Sequence, residues 1–165
     1  MILGENKLRE IYDVDEDCYQ PASIDLKLGG AYYIKETAIV GLDEDNTKYL
    51  PNIDEIAPDE NGVIEIAPHE TLLIEVEGVM KIPEGCMQLY FLRSSLMRMG
   101  LSAGTCVGDP GFRGKLMFQI RNNSCNIVRL KQGERFATAV TFRVNDAGKY
   151  DGAYQNRMNM KEVHR

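Results

Sequence analysis

Residues 71–92, TLLIEVEGVMKIPEGCMQLYFL, decide the fold class. The runs TLLIEVEGVMKIP (71–83) and CMQLYFL (86–92) are short, apolar and β-branched or aromatic in character, and the turn sequence IPEG separates them. Runs of this kind bounded by Gly and Pro read as strands. The same texture extends in both directions. Upstream, SIDLKLG alternates Ile24, Leu26 and Leu28 with other partners, and GVIEIAP follows Asn61-Gly62, a β-hairpin signal. Downstream, KLMFQIRN, NIVRL and RFATAVTFRV continue the pattern, punctuated by GDPG and KQGE. Parallel βαβ units would interleave long amphipathic helices, so the pattern indicates an all-β sandwich or barrel. Two helical exceptions are expected: residues 1–12, and RSSLMRMG (93–100), where Leu96 and Met99 share a face and Gly100 closes the turn.

The chain has 165 residues, which predicts one domain over 1–165 with a core of its own. From Asn145 onward the sequence is polar and rich in Gly, Asn and Tyr, so 145–165 reads as a mobile tail unless a ligand or neighbour orders it. A formal charge of −6 argues against duplex binding, which draws most of its affinity from clustered cations, so no nucleic-acid partner is expected. An acidic chain can still hold a local nest of Arg and Lys for a small anion. No apolar run reaches the length of a membrane span, and a cytoplasmic protein without a membrane partner is the expectation.

Cys18, Cys86, Cys106 and Cys125 form no C-x-x-C pair and read as buried free thiols. With His69 and His164 the only histidines, a Cys/His-bound zinc is not expected, and the H-x-E…P-C-x-x-C signature of zinc nucleobase deaminases is missing. The acidic run DVDEDCYQ (13–20) opens like a calcium loop. However, Cys18 stands where Gly is needed and Ile24 where Glu is needed, so it reads as a solvated turn.

Three clusters can carry chemistry. Arg93, Ser94, Ser95 and Arg98 put two cations and two hydroxyls around a helix start, where free N–H groups favour an anion. The same residues also suit a capped surface helix. GDPGFRG (108–114) is a tight turn that can hold Asp109 rigidly as a general base with Phe112 as a ring platform, or can be a turn and nothing more. Lys149, Tyr150, Tyr154, Gln155, Asn156 and Arg157 could form a lid over a nucleotide, or a solvated terminus.

Taken in order, QPASIDLKLG (20–29), LRSSLMRMGL (92–101), GDPGFRGKLMFQIRN (108–122), GERFATAVTF (133–142) and GKYDGAYQ (148–155) resemble the dUTPase and dCTP deaminase superfamily, in its deaminase-like branch. The resemblance covers roughly residues 20–155. It implies a distorted jelly-roll (β-clip) subunit, a homotrimer and active sites at subunit interfaces. It gives Arg93, Ser94, Ser95 and Arg98 to the phosphates, and Asp25 to the waters of a Mg²⁺ held mainly by the triphosphate. The segment from Leu101 to Gly108, with Thr105, would read the pyrimidine. Asp109 would touch the sugar or activate water, Phe112 would pack on deoxyribose, and Lys149 with Tyr150 would close over the nucleotide.

Deaminases of this superfamily carry a Glu ten residues after the Asp of the third motif, where this chain has Gln119. A primary amide cannot accept and return a proton near neutral pH, and general acid–base groups contribute about 10²–10⁴-fold in rate. The resemblance therefore implies a dUTP diphosphatase making dUMP and pyrophosphate with Mg²⁺, with Asp109, Gln119 and Arg98 at the reacting centre. The alternatives are a dCTP deaminase, bifunctional or not, and an inactive nucleotide-binding trimer. Against the diphosphatase reading stand the D-P-G-F turn, the deaminase-like tail and the missing glycine-rich phosphate motif of trimeric dUTPases.

Overall fold

In the computed structural model, residues 1–35, 40–42 and 48–159 are described. Seven strands form the main path of one sheet: β1 (Ser23–Ile34), β2 (Thr71–Val76), β3 (Cys86–Leu92), β4 (Leu101–Gly104), β5 (Val107–Gly108), β6 (Met117–Asn122) and β7 (Arg135–Arg143). Their order is β4-β6-β2-β1-β7-β3-β5, every pair antiparallel. The edge strands β4 and β5 are consecutive in the chain, joined through Thr105 and Cys106 alone. Gly104 and Val107 therefore lie within about 11 Å, three trans peptide steps. A path that begins and ends this close has to curl, which gives the all-β, jelly-roll-like body expected.

Alternation builds the core. Leu26, Leu28, Leu72, Ile74, Phe118, Ile120, Phe136 and Ala139 all point inward and are buried, with Tyr90, Phe118 and Phe136 in ring contact. Buried polar groups are paired, as they must be. Gln88 donates to the Tyr12 hydroxyl and to Thr141 Oγ1 while accepting from the Tyr90 hydroxyl. Asn122 donates to the carbonyls of Ile66, Ala67 and Asn126.

Several expectations need correction. The N-terminal helix α1 is only Glu5–Ile11, because residues 1–3 instead extend along β7: Leu3 N–H donates to Thr141 O and Arg143 N–H to Met1 O. Asn61-Gly62 forms a turn, with Gly62 at φ +77, but makes no local hairpin. Val63–Ile66 pairs with Val128–Lys131, far along the chain. β1 runs on past the alternating SIDLKLG stretch to Ile34. Gly29 is an approach point, since a Cβ there would lie 2.9 Å from the backbone of Glu77. Among the cysteines, Cys18 and Cys86 are buried but Cys106 and Cys125 are exposed, and all four are free. Helix α2 (Ser94–Arg98) is as expected and ends at Gly100, φ +94. His164 and the end of the tail lie outside the described residues.

Candidate active site

Three groups of residues emerge, and register places each. The first lies on the outer face where β1, β7 and β3 run side by side. Asp25 pairs across to Thr138, and Thr138 to Phe91, so the three form one outward row. Asp25 is nonetheless buried, because two guanidiniums cover it: Arg93 Nε at 3.6 Å and Arg135 Nη1 at 3.4 Å from its Oδ2. Arg93 is the N-cap residue of α2, and its N–H donates to Phe136 O, which pins the helix start to β7. Leu96 anchors the helix in the core. Ser94, Ser95 and Arg98 stay exposed at its first and last turns. An anion arriving here would meet two hydroxyls and two cations.

The second group is at the curl of the sheet. Gln119 on β6 lies opposite Gly104 on β4 and is exposed. A Cβ at Gly104 would sit 3.3 Å from Gln119 Oε1, so glycine is what lets the amide lie along the 101–108 segment. Thr105 donates from its hydroxyl to Tyr90 O at 3.0 Å, fixing the bend between β4 and β5.

Asp109 heads the third group, exposed at the corner after β5. The corner is held on all sides: Phe112 N–H donates to Asp109 O, Gly111 N–H to Ile82 O, and Ile82 N–H to Phe112 O. Gly108 has no room for a side chain, since a Cβ would lie 2.3 Å from the Tyr90 hydroxyl. The Tyr90 hydroxyl is pushed up, by burial first and with the Asp109 charge adding to it. The stretch read as a tail folds onto this same corner in cis. Tyr150 N–H donates to Pro110 O, the Tyr150 ring meets Phe112 edge-on at 5.5 Å, and Asn156 N–H donates to Arg113 O. The Gln155 amide accepts from Arg113 N–H and donates to Gly111 O, a two-point clamp. Lys149 pairs with Glu84 at 2.8 Å, both exposed, and this contact raises the lysine and lowers the glutamate.

The Arg93 group and the Asp109 group are set apart within the chain. Gly108 pairs with Gln88 on β3, and Arg93 lies five residues further on, just past the end of that strand, about 17 Å away at strand rise. Among the described residues no hydrogen bond or ion pair connects the Arg93 group with the Asp109 group. The role of Arg135 is absent from the sequence reading; the adjacent apolar pair Phe136-Ala137 in an otherwise alternating strand is the signal that could have exposed it.

A family model described as dCTP deaminase-like matches residues 3–144. A probable deoxyuridine 5'-triphosphate nucleotidohydrolase of Methanopyrus kandleri is 42% identical over 155 residues, 93% of this chain and 99% of that protein. Its counterpart in Methanothermobacter thermautotrophicus is 38% identical over 155 residues, 94% of this chain and 99% of that one. A dCTP deaminase of Pyrobaculum calidifontis is 35% identical over 158 residues, 94% and 85% of the two chains. Among solved structures, the 2'-deoxycytidine 5'-triphosphate deaminase of Agrobacterium tumefaciens superimposes with a TM-score of 0.65 at 17% identity, covering 85% of this chain and 47% of that longer one. That likeness shows the fold.

Proposed function

We propose that this chain, which belongs to the dCTP deaminase-like family, hydrolyses dUTP to dUMP and pyrophosphate. The observation that carries the reading is Gln119, an amide beside the 101–108 segment where deamination needs a titratable carboxylate, together with an Asp109 kept in a rigid corner. The two relatives named as deoxyuridine triphosphate nucleotidohydrolases, at 42% and 38% identity, support it.

In this reading Asp109 takes a proton from a water as that water's oxygen bonds to the α-phosphorus. The bond from that phosphorus to the bridging oxygen breaks, and pyrophosphate leaves with the electron pair. Arg93 and Arg98, with Ser94 and Ser95, hold the phosphates and counter the charge that builds on the leaving group. Phe112 and Tyr150 flank the sugar, Lys149 reaches the triphosphate on leaving Glu84, and Thr105 and Gln119 face the base. Among the described residues no cluster of three or more His, Cys, Asp or Glu stands ready to hold a metal. A Mg²⁺ brought by the triphosphate would supply charge neutralisation at the phosphates, held mainly by phosphate and water oxygens rather than by protein carboxylates. Asp25, whose carboxylate Arg93 and Arg135 already share, would orient waters of that ion rather than ligate it directly.

Along β3 about 17 Å of strand rise separates Arg93 from Gly108, which favours a site completed by a second chain. A homotrimer resolves this by bringing one subunit's Arg93 group to another's Asp109 corner. The exposed outward face of Phe91, Val107, Met97 and Met99 supplies an apolar surface for that contact.

Deamination of dCTP is the second reading, favoured by the relative named dCTP deaminase. Incubation with dUTP, dCTP, dTTP and UTP in Mg²⁺ separates the two: pyrophosphate from dUTP alone is expected, and ammonia from dCTP would overturn the assignment. Gln119→Glu extends the screen, since appearance of dCTP deamination in that variant shows one carboxylate dividing the two activities. Sedimentation of the wild type at micromolar concentration should give three chains per particle.

A further inference from the structure

The acidic run Asp13–Asp17 and an irregularity in β7 have no part in the reaction above, and they meet at one residue. β7 pairs with β1 at Arg135 opposite Lys27 and next at Ala137 opposite Leu26, so an extra residue is accommodated between them. Phe136 and Ala137 are both buried, whereas neighbours on a regular strand point to opposite faces. Counting back from outward Thr138, a regular strand would send Phe136 to solvent and Arg135 into the core. The bulge reverses both, an established use of bulges, and brings the Arg135 guanidinium over Asp25.

Asp17 holds Arg135 from the other side. Its Oδ2 is 3.6 Å from Arg135 Nε, and its carbonyl accepts from Arg135 Nη1. Asp17 also lies 3.5 Å from Lys27 Nζ, which Asp15 engages in turn. A line of alternating charge therefore runs Lys27–Asp17–Arg135–Asp25–Arg93 and ends at the first turn of α2. A buried carboxylate needs its charge compensated. With two guanidiniums sharing the task, Arg93 makes one contact at 3.6 Å and keeps a third of its side chain exposed, free to meet an anion.

We propose that Arg135 is a positioning residue for the anion cradle. By taking half of the Asp25 charge it prevents Arg93 from collapsing onto that carboxylate, and Asp17 fixes Arg135 in place. The proposal rests on the reading of Arg93 as a phosphate ligand, though not on which nucleotide is cleaved.

Calorimetric titration with inorganic triphosphate in Mg²⁺ tests it on wild type, Arg135→Ala, Arg93→Ala and the double variant. Arg135→Ala should weaken binding about ten-fold, the scale of losing one charge-assisted hydrogen bond. Arg93→Ala should do at least as much, and the double variant no more than Arg93→Ala alone, because one residue acts through the other. In parallel, kcat/KM for dUTP should fall in Arg135→Ala by a similar factor, and Arg135→Lys should recover part of the loss. Should Arg135→Ala fail to fold, Arg135→Lys keeps the cation, removes the fork and is read by the same titration. Unchanged affinity with a lowered melting temperature, additive losses in the double variant, or a wild type that binds no triphosphate would each overturn the proposal. Triphosphate binding without dUTP turnover would instead sink the reaction assigned above and leave this one standing.

Discussion

Asp109 draws its proposed role from what surrounds it rather than from any unusual property of its own. The corner is fixed by Ile82 and by its own i to i+3 hydrogen bond, and the tail closes the remaining side through Tyr150 and Gln155. Replacement by Asn keeps the shape and removes the base. Asp109→Asn should therefore lower kcat for dUTP by about 10²–10⁴-fold, the usual contribution of a general base, while dissociation of a non-hydrolysable analogue stays within about two-fold. A rate that survives would show that water is activated elsewhere. At this scale the candidate site is readable where its residues stand in contiguous stretches: Arg93-Ser94-Ser95, Asp109 and Gln119 each belong to a recognisable run. Arg135 is not readable in that way, because its orientation depends on a bulge, and a period-of-two count puts it on the wrong face. Asp17 is missed for a related reason. An acidic turn looks solvated until the cations 10 and 118 positions away, Lys27 and Arg135, are brought to it.

The elements themselves follow from alternation and punctuation. SIDLKLG, CMQLYFL, KLMFQIRN and RFATAVTFRV all became strands, and the short helix after Leu92 ends at the expected glycine. Pairing was less legible than existence. Val63–Ile66 finds its partner in Val128–Lys131 because loop closure over that distance is repaid by burying Ile64, Ile66, Val128 and Leu130, which no local signal announces. The link between β5 and the Asp109 corner gives a test at this level. A methyl group at Gly108 would sit 2.3 Å from the Tyr90 hydroxyl and 2.5 Å from Ile82 Cδ1. Tyr90 cannot swing aside without surrendering its bond to buried Gln88. Gly108→Ala should destabilise the fold by about 1–3 kcal/mol, as overpacking does. It should also lower kcat by displacing the turn that follows. Urea denaturation and steady-state kinetics on one preparation check both, and an unaltered midpoint would mean that the corner is looser than drawn.

At the scale of the whole molecule, burial moves several phenols and one thiol in the same direction. Burial pushes the Cys18 thiol up to about 11, and burial likewise raises Tyr12, Tyr32 and Tyr90. The unfolded chain releases these protons from about pH 8.5 for Cys and about 10 for Tyr, while the folded chain retains them. Above those values the unfolded state binds fewer protons, so stability falls as pH rises. For Cys18 the loss is confined between its ordinary value and about 11. Melting midpoints should hold up to about pH 8.5 and fall steadily beyond it, and Cys18→Ala should soften the first part of that decline. A flat profile to about pH 10.5 would contradict the burial assigned to these groups.

The curled sheet has one further effect. Its terminal strands are four and two residues long and are tied to each other by Thr105 and Cys106. Exposed strand borders are where foreign chains nucleate fibrils, and this architecture leaves no rail of useful length there. Crowding and partial denaturation should then favour reversible opening over deposition along that seam.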